Sequence, residues 1–222
     1  MNSKLLGFFS GFPSHHFPDH IADILQEELS VRNSIVFISA NPDDYLQNDM
    51  DSVGMHEMFD ERNMPFANCY VIDNRTKVVD AKKLIREASC IFLMGGNATL
   101  QFKLLCDKGL HHEIRQSCAV ILGVSAGAMN MGKHTVDVYE SLTPYEGLGF
   151  ANLTIKAHYP FHEEWLLQSL TQVSMKLPVC LMTDESAIFI KKDKVIPIGQ
   201  IYLMAKGNVA LLTQDELQQM QT

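Results

Sequence analysis

The chain has 222 residues, 46% of them hydrophobic and 20% charged, which fits a folded globular protein and excludes a disordered one. Its 18 Lys and Arg against 26 Asp and Glu leave a formal charge of −8. With no basic run, that acidity argues against nucleic acid or an anionic membrane as partner. The length predicts a single domain over 1–222.

From the N-terminus, "LLGFF" is too short for a signal-peptide core and no window approaches a membrane span, so the expected address is the cytoplasm. Short apolar runs then alternate with helix-like segments. Strands are expected at "KLLGFF" (4–9), "SIVFIS" (34–39), "CYVI" (69–72), "CIFLM" (90–94), "AVILGV" (119–124), 153–157 and "PVCLM" (178–182). Several are apolar throughout, as in parallel strands covered on both faces. Helices are expected at 19–30, 80–88, 98–109 and 163–176, and a loop then a helix within the polar stretch 41–65. In the first helix Ile21, Ile24, Leu25 and Leu29 recur at helical spacing. The segment 186–212 reads as short strands broken by "KKDK", "GQ" and "KGN", hence a β-meander at one sheet edge. Five cysteines (Cys69, Cys90, Cys106, Cys118, Cys180) form no C-x-x-C pair. They are expected as buried apolar residues in a reducing compartment, with no disulfide and no zinc.

Chemistry concentrates in "ILGVSAGAMN" (121–130). A serine between two glycines, after an apolar strand and before a helix, has the pattern of a nucleophile elbow, whose strained turn tolerates only small neighbours. The plainer reading is a glycine-rich turn with an incidental serine. A serine nucleophile needs a base, and the base an orienting acid. Among nine histidines, His158 stands at the end of a candidate strand, where an open α/β sheet places its site. Asp184 and Glu185 end another strand, Asp137 and Glu140 follow the elbow, and spacing alone does not choose among them. "CIFLMGGNATL" ends a strand with Gly95 and Gly96, where the backbone can approach a substrate carbonyl, while Asn97 caps the next helix. No phosphate loop, dinucleotide fingerprint or metal motif is present, so neither cofactor nor metal is expected.

"FLMGGN", "GVSAGA", "AHYPFH" and "TDESAI", in that order, resemble the peptidase E and cyanophycinase family of serine peptidases over roughly residues 1–212. The resemblance implies an α/β three-layer sandwich with a mostly parallel central sheet, similar to class I glutamine amidotransferases. It also implies a Ser-His-Glu arrangement falling on Ser125, His158 and Glu185, with Asp137 or Glu140 near the place of a rival acid. The oxyanion hole falls on the amides of Gly96 and Ala126. The implied substrate is a small peptide with a free N-terminus. The chain is expected as a monomer or homodimer. The alternatives are an esterase or amidase using the same machinery, or a catalytically silent binding relative.

There is one departure from the family pattern. Relatives specific for N-terminal aspartate carry arginines after the histidine, whereas the last arginine here is Arg115. Only Lys176, Lys191, Lys192, Lys194 and Lys206 follow His158, so a strong requirement for aspartate at the first position is not expected.

Overall fold

The computed structural model describes residues 4–192 and 194–221. In chain order the elements are β1 (Leu6–Phe9), α1 (Asp19–Glu28), β2 (Ile35–Ala40), α2 (Tyr45–Asp60), β3 (Cys69–Ile72), α3 (Val78–Glu87) and β4 (Cys90–Gly96). Next come α4 (Ala98–Asp107), α5 (His111–Gln116), β5 (Val120–Val124), α6 (Ala126–Met131), β6 (Gly132–Thr135), β7 (Tyr145–Glu146) and β8 (Ala151–Tyr159). The chain finishes with α7 (Glu164–Ser174), β9 (Val179–Thr183), β10 (Ala187–Lys191), β11 (Lys194–Ile198), β12 (Ile201–Ala205), β13 (Asn208–Leu211) and α8 (Gln214–Gln219).

The strands form two sheets. The first runs β11-β10-β1-β5-β4-β2-β3, parallel from β1 to β3, with β10 and β11 added antiparallel. Side chains alternate between its faces with the period of two that a strand imposes. Phe8, Val36, Ile38, Ile91, Leu93 and Ile121 enter one core, shared with α3, α4, α5 and α6. Phe9, Ile35, Phe37, Phe92 and Leu122 enter the other, beneath α1 and α2. Both faces are covered, which is why these strands read as continuous apolar runs. The result is an α/β sandwich with a mostly parallel sheet and helices on both sides.

The expected first-helix face buries Ile21, Leu25 and Leu29, with Ile24 partly covered. A phenylalanine cluster fills the same side, Phe17 meeting Phe59 edge-on at 4.8 Å between ring centroids.

Two expectations fail for reasons of tertiary context. The C-terminal meander does not stay at one sheet edge. β10 and β11 pair with β1, whereas β12 and β13 join a second sheet of order β13-β12-β9-β8-β6-β7. Strand and turn spacing reveals elements but not their partners. The cysteines also divide: Cys90 and Cys180 are buried, while Cys69, Cys106 and Cys118 are exposed. Cys69 begins β3, an edge strand whose first residues face outward.

The second sheet pairs β8 with β9 in parallel and carries α7 on its outer face, where Leu166 and Leu170 meet Val179 and Leu181. Its inner residues Leu153, Ile155, Cys180 and Met182 share the core below α6. That core is closed by backbone contact. A Cβ at Gly127 would lie 2.6 Å from the Leu93 carbonyl carbon, and one at Gly123 would lie 2.7 Å from the Gly127 carbonyl carbon. Both glycines of the elbow are therefore demanded by α6 lying directly on β4 and β5. Gly127→Ala should destabilise the fold by about 1–3 kcal/mol or more, because backbone cannot yield as a side chain tip can. In a chain of this size each kcal/mol lowers the thermal midpoint by about 2–4 °C, readable by calorimetry.

Candidate active site

β5 ends at Val124 and α6 begins at Ala126, leaving Ser125 alone at the corner with φ 51° and ψ −111°. A non-glycine residue at positive φ is strained. It is held there by its own amide, which donates to the Phe9 carbonyl at 2.9 Å, and by the two flanking glycines. The strain turns the hydroxyl outward, as the elbow pattern predicted. Beside it, the end of β4 passes so closely that a Cβ at Gly95 would sit 3.5 Å from the Ser125 Cβ. Gly96 follows at φ 133°, and Asn97 caps α4 by accepting from the Leu100 amide at 2.8 Å. The Ala126 N–H is the first of α6 and has no acceptor within the helix.

The histidine comes from the other sheet. His158 lies near the end of β8, and its Nε2 stands 3.0 Å from Ser125 Oγ. Its Nδ1 stands 2.6 Å from Oδ1 of Asp184, just past β9. The imidazole thus bridges a hydroxyl and a carboxylate, with both ring and carboxylate about half-exposed.

The carboxylate on His158 is therefore that of Asp184, and the expectation of Glu185 is corrected. The Ser186 amide donates to the Thr183 carbonyl at 3.1 Å, closing a turn with Asp184 and Glu185 at its centre. Glu185 takes positive φ (60°), and its amide donates to the Gly11 carbonyl at 2.8 Å. The rival acids are also accounted for. Asp137 accepts from Thr99 Oγ1 at 3.1 Å, and Glu140 is exposed with its amide on the Asp137 carbonyl at 2.9 Å; neither bonds His158.

Two residues that the motif reading passed over hold this pair in place. Ser10 is fully buried beyond β1, and its hydroxyl donates to the Met182 carbonyl at 3.0 Å. The same oxygen accepts from the His158 amide at 2.8 Å. Gly11 lies flat against the pair: a Cβ there would stand 2.6 Å from His158 Cε1 and 2.8 Å from Asp184 Oδ1. The signal for both was available, since small residues at the carboxyl end of a central parallel strand sit where such sheets place their sites.

A cavity of about 820 Å3 opens from Ser125 and His158 toward β8 and α7, lined also by Gly96, Asp137, Tyr139, Lys156 and Glu163. Arg115 is elsewhere, bonded through its guanidinium to the Leu148 carbonyl at 2.6 Å. Lys156 is only 8% exposed. Its ammonium lies 5.0 Å from the Tyr139 ring centroid. Burial holds it below the ordinary lysine range, while the charge of Asp137 pulls the other way. A cation does reach the cavity, and it precedes the histidine in sequence instead of following it.

Gly11→Ala should lower kcat/KM by about tenfold or more, although it leaves every polar atom of the Ser-His-Asp constellation in place, because small misplacements at a reacting centre are costly. Wild-type turnover in that variant would contradict the packing argument. Lys156→Met should raise the thermal midpoint by about 2–4 °C at neutral pH by removing a desolvated charge. Since the folded-state pKa is the lowered one, that gain shrinks as pH climbs through it toward the unfolded lysine value.

Proteins of known structure share this fold. A peptidase from an acI-B1 Actinobacterium has a similar structure, with TM-score 0.73 and 16% identity over 96% of this chain and 95% of that one. A protein from Listeria monocytogenes EGD-e described as a peptidase E superposes with TM-score 0.67 and 18% identity over 88% of this chain and 98% of that one. No curated protein sequence matches the chain. Residues 9–198, from the end of β1 to the end of β11, match the model of peptidase family S51, and the chain belongs to that family of peptidases.

Proposed function

We propose that the protein is a serine peptidase of small peptides working through Ser125, His158 and Asp184. The observation that carries this reading is the continuous path from Ser125 Oγ to His158 Nε2 at 3.0 Å and from Nδ1 to Asp184 Oδ1 at 2.6 Å. Asp184 fixes the tautomer with the proton on Nδ1 and stabilises the imidazolium that forms. Nε2 is then free to take the Ser125 proton as Oγ attacks the scissile carbonyl carbon. The carbonyl oxygen, now negative, is received by the Gly96 and Ala126 amides. His158 returns the proton to the departing amine, then takes a proton from water as it attacks the acyl carbon and delivers it to Ser125 Oγ as the Oγ–acyl bond breaks, releasing the acid. A cavity of about 820 Å3 has the capacity of a small ligand site, which supports short peptides as substrates.

The test is fluorophosphonate labelling followed by kcat/KM on a dipeptide panel. Ser125→Ala should abolish labelling and reduce turnover by about 10³-fold or more, and His158→Ala by a similar factor, because such residues act as a unit. Asp184→Asn should reduce turnover by at least about a hundredfold, while Glu185→Gln stays within about threefold. A reversed order for the two acids would return the orienting role to Glu185.

A further inference from the structure

We propose that Lys156 is a substrate-binding residue that takes the free C-terminal carboxylate of the leaving amino acid. The inference rests on the serine-peptidase reading and deepens it to the part of the peptide that departs.

Lys156 has an environment that a structural lysine does not need. It is 92% buried by its 8% exposure, yet it lines the cavity, and no oxygen among the described residues accepts a hydrogen bond from its ammonium. Its three N–H donors are available to something that enters the cavity. Its ammonium is not one of the fully enclosed polar atoms that lack a partner and opens on the cavity, where water can meet its donors until a ligand acceptor takes their place. The Tyr139 ring at 5.0 Å offers a face but no lone pair for those donors, and Asp137 acts through its field. Among the described residues, Lys156 is the only lysine or arginine on the cavity wall.

The direction of catalysis says which carboxylate it would meet. His158 delivers its proton to the departing nitrogen, so the leaving residue lies on the histidine's side of the scissile bond, opposite the amides of Gly96 and Ala126. Lys156 and His158 are two residues apart near the end of β8, and although the strand is irregular between Lys156 and Tyr159, with His158 at φ 65°, both residues line the same cavity. The carboxylate carbon of a free leaving residue is two bonds from that nitrogen, within the span the lysine side chain covers. A peptide extended beyond the leaving residue would bring an uncharged amide to Lys156 and leave the ammonium unmatched. The site would therefore discriminate in favour of peptides that end one residue after the cleaved bond.

The experiment compares kcat/KM for a dipeptide with a free C-terminus and for its C-terminal amide, in wild-type protein, Lys156→Met and Lys156→Arg. The wild type should favour the free acid by about tenfold or more, mainly through KM, and Lys156→Met should bring the ratio near one. Lys156→Arg should restore part of the preference. Should Lys156→Met fail to fold, Lys156→Gln and the wild-type ratio carry the same test. Equal turnover of acid and amide by the wild type would overturn the proposal, as would a preference that survives in a folded Lys156→Met. So would a Lys156→Met effect seen only as a changed ratio between dipeptides beginning with Asp and with Asn, which would assign the cation to the first residue. Turnover that persists in Ser125→Ala would instead overturn the underlying peptidase reading, and with it this one.

Discussion

One hydroxyl ties the two sheets together at the place where they must agree. Ser125 is set by β5 in one sheet, and His158 and the Asp184 carboxylate by β8 and β9 in the other. Ser10, at the end of β1, reaches across with a donor to the Met182 carbonyl and an acceptor for the His158 amide. Being fully buried, it has no water to exchange those bonds with, so the position of His158 relative to the first sheet is fixed by short, directional contacts. Gly11, the next residue, then sets how closely the imidazole and Asp184 approach the same strand. The 3.0 Å contact between Ser125 and His158 is the outcome of this stitching. Neither sheet alone contains the constellation.

What the sequence discloses follows from which physical constraints are local. Strands buried on both faces must be apolar at every position, so β2, β4 and β5 stand out as runs. The elbow is legible because steric exclusion acts between near neighbours: Gly123 and Gly127 are needed at fixed offsets from Ser125. The choice between Asp184 and Glu185 is not legible in the same way. Two adjacent carboxylates are equivalent until a turn sends one inward, and the turn is fixed by a bond to Gly11, far away in sequence. Lys156 is not legible from spacing, because β8 is irregular between Lys156 and Tyr159 and His158 takes a positive φ, so two-residue alternation does not place the lysine. The partners of β12 and β13 depend on contacts that no spacing encodes.

The cavity also holds two features that work against stability. Burial of the Lys156 ammonium works against folding, and the charge of Asp137 offsets only part of it. Strain at Ser125, with its positive φ, is a second such term. Both lie at the same cavity, whose walls rest on the well-packed cores beneath α6 and α7. That distribution is expected where a rigid scaffold carries a site that is not itself at its energetic minimum.

The pairing of β1 bears on how the molecule comes into being. Leu6 aligns with Ile121 on one side and with Ile190 on the other, so this interior strand of the first sheet is synthesised long before either neighbour. A nascent chain emerging from the ribosome would hold an apolar segment, "LGFF", with no edge to join until most of the protein has been made. Folding dominated by such distant contacts is slow and leaves sticky surface open in the interval. The same strand that later brings Ser125 and His158 together thus waits, while the chain is being translated, for partners that lie more than a hundred residues downstream.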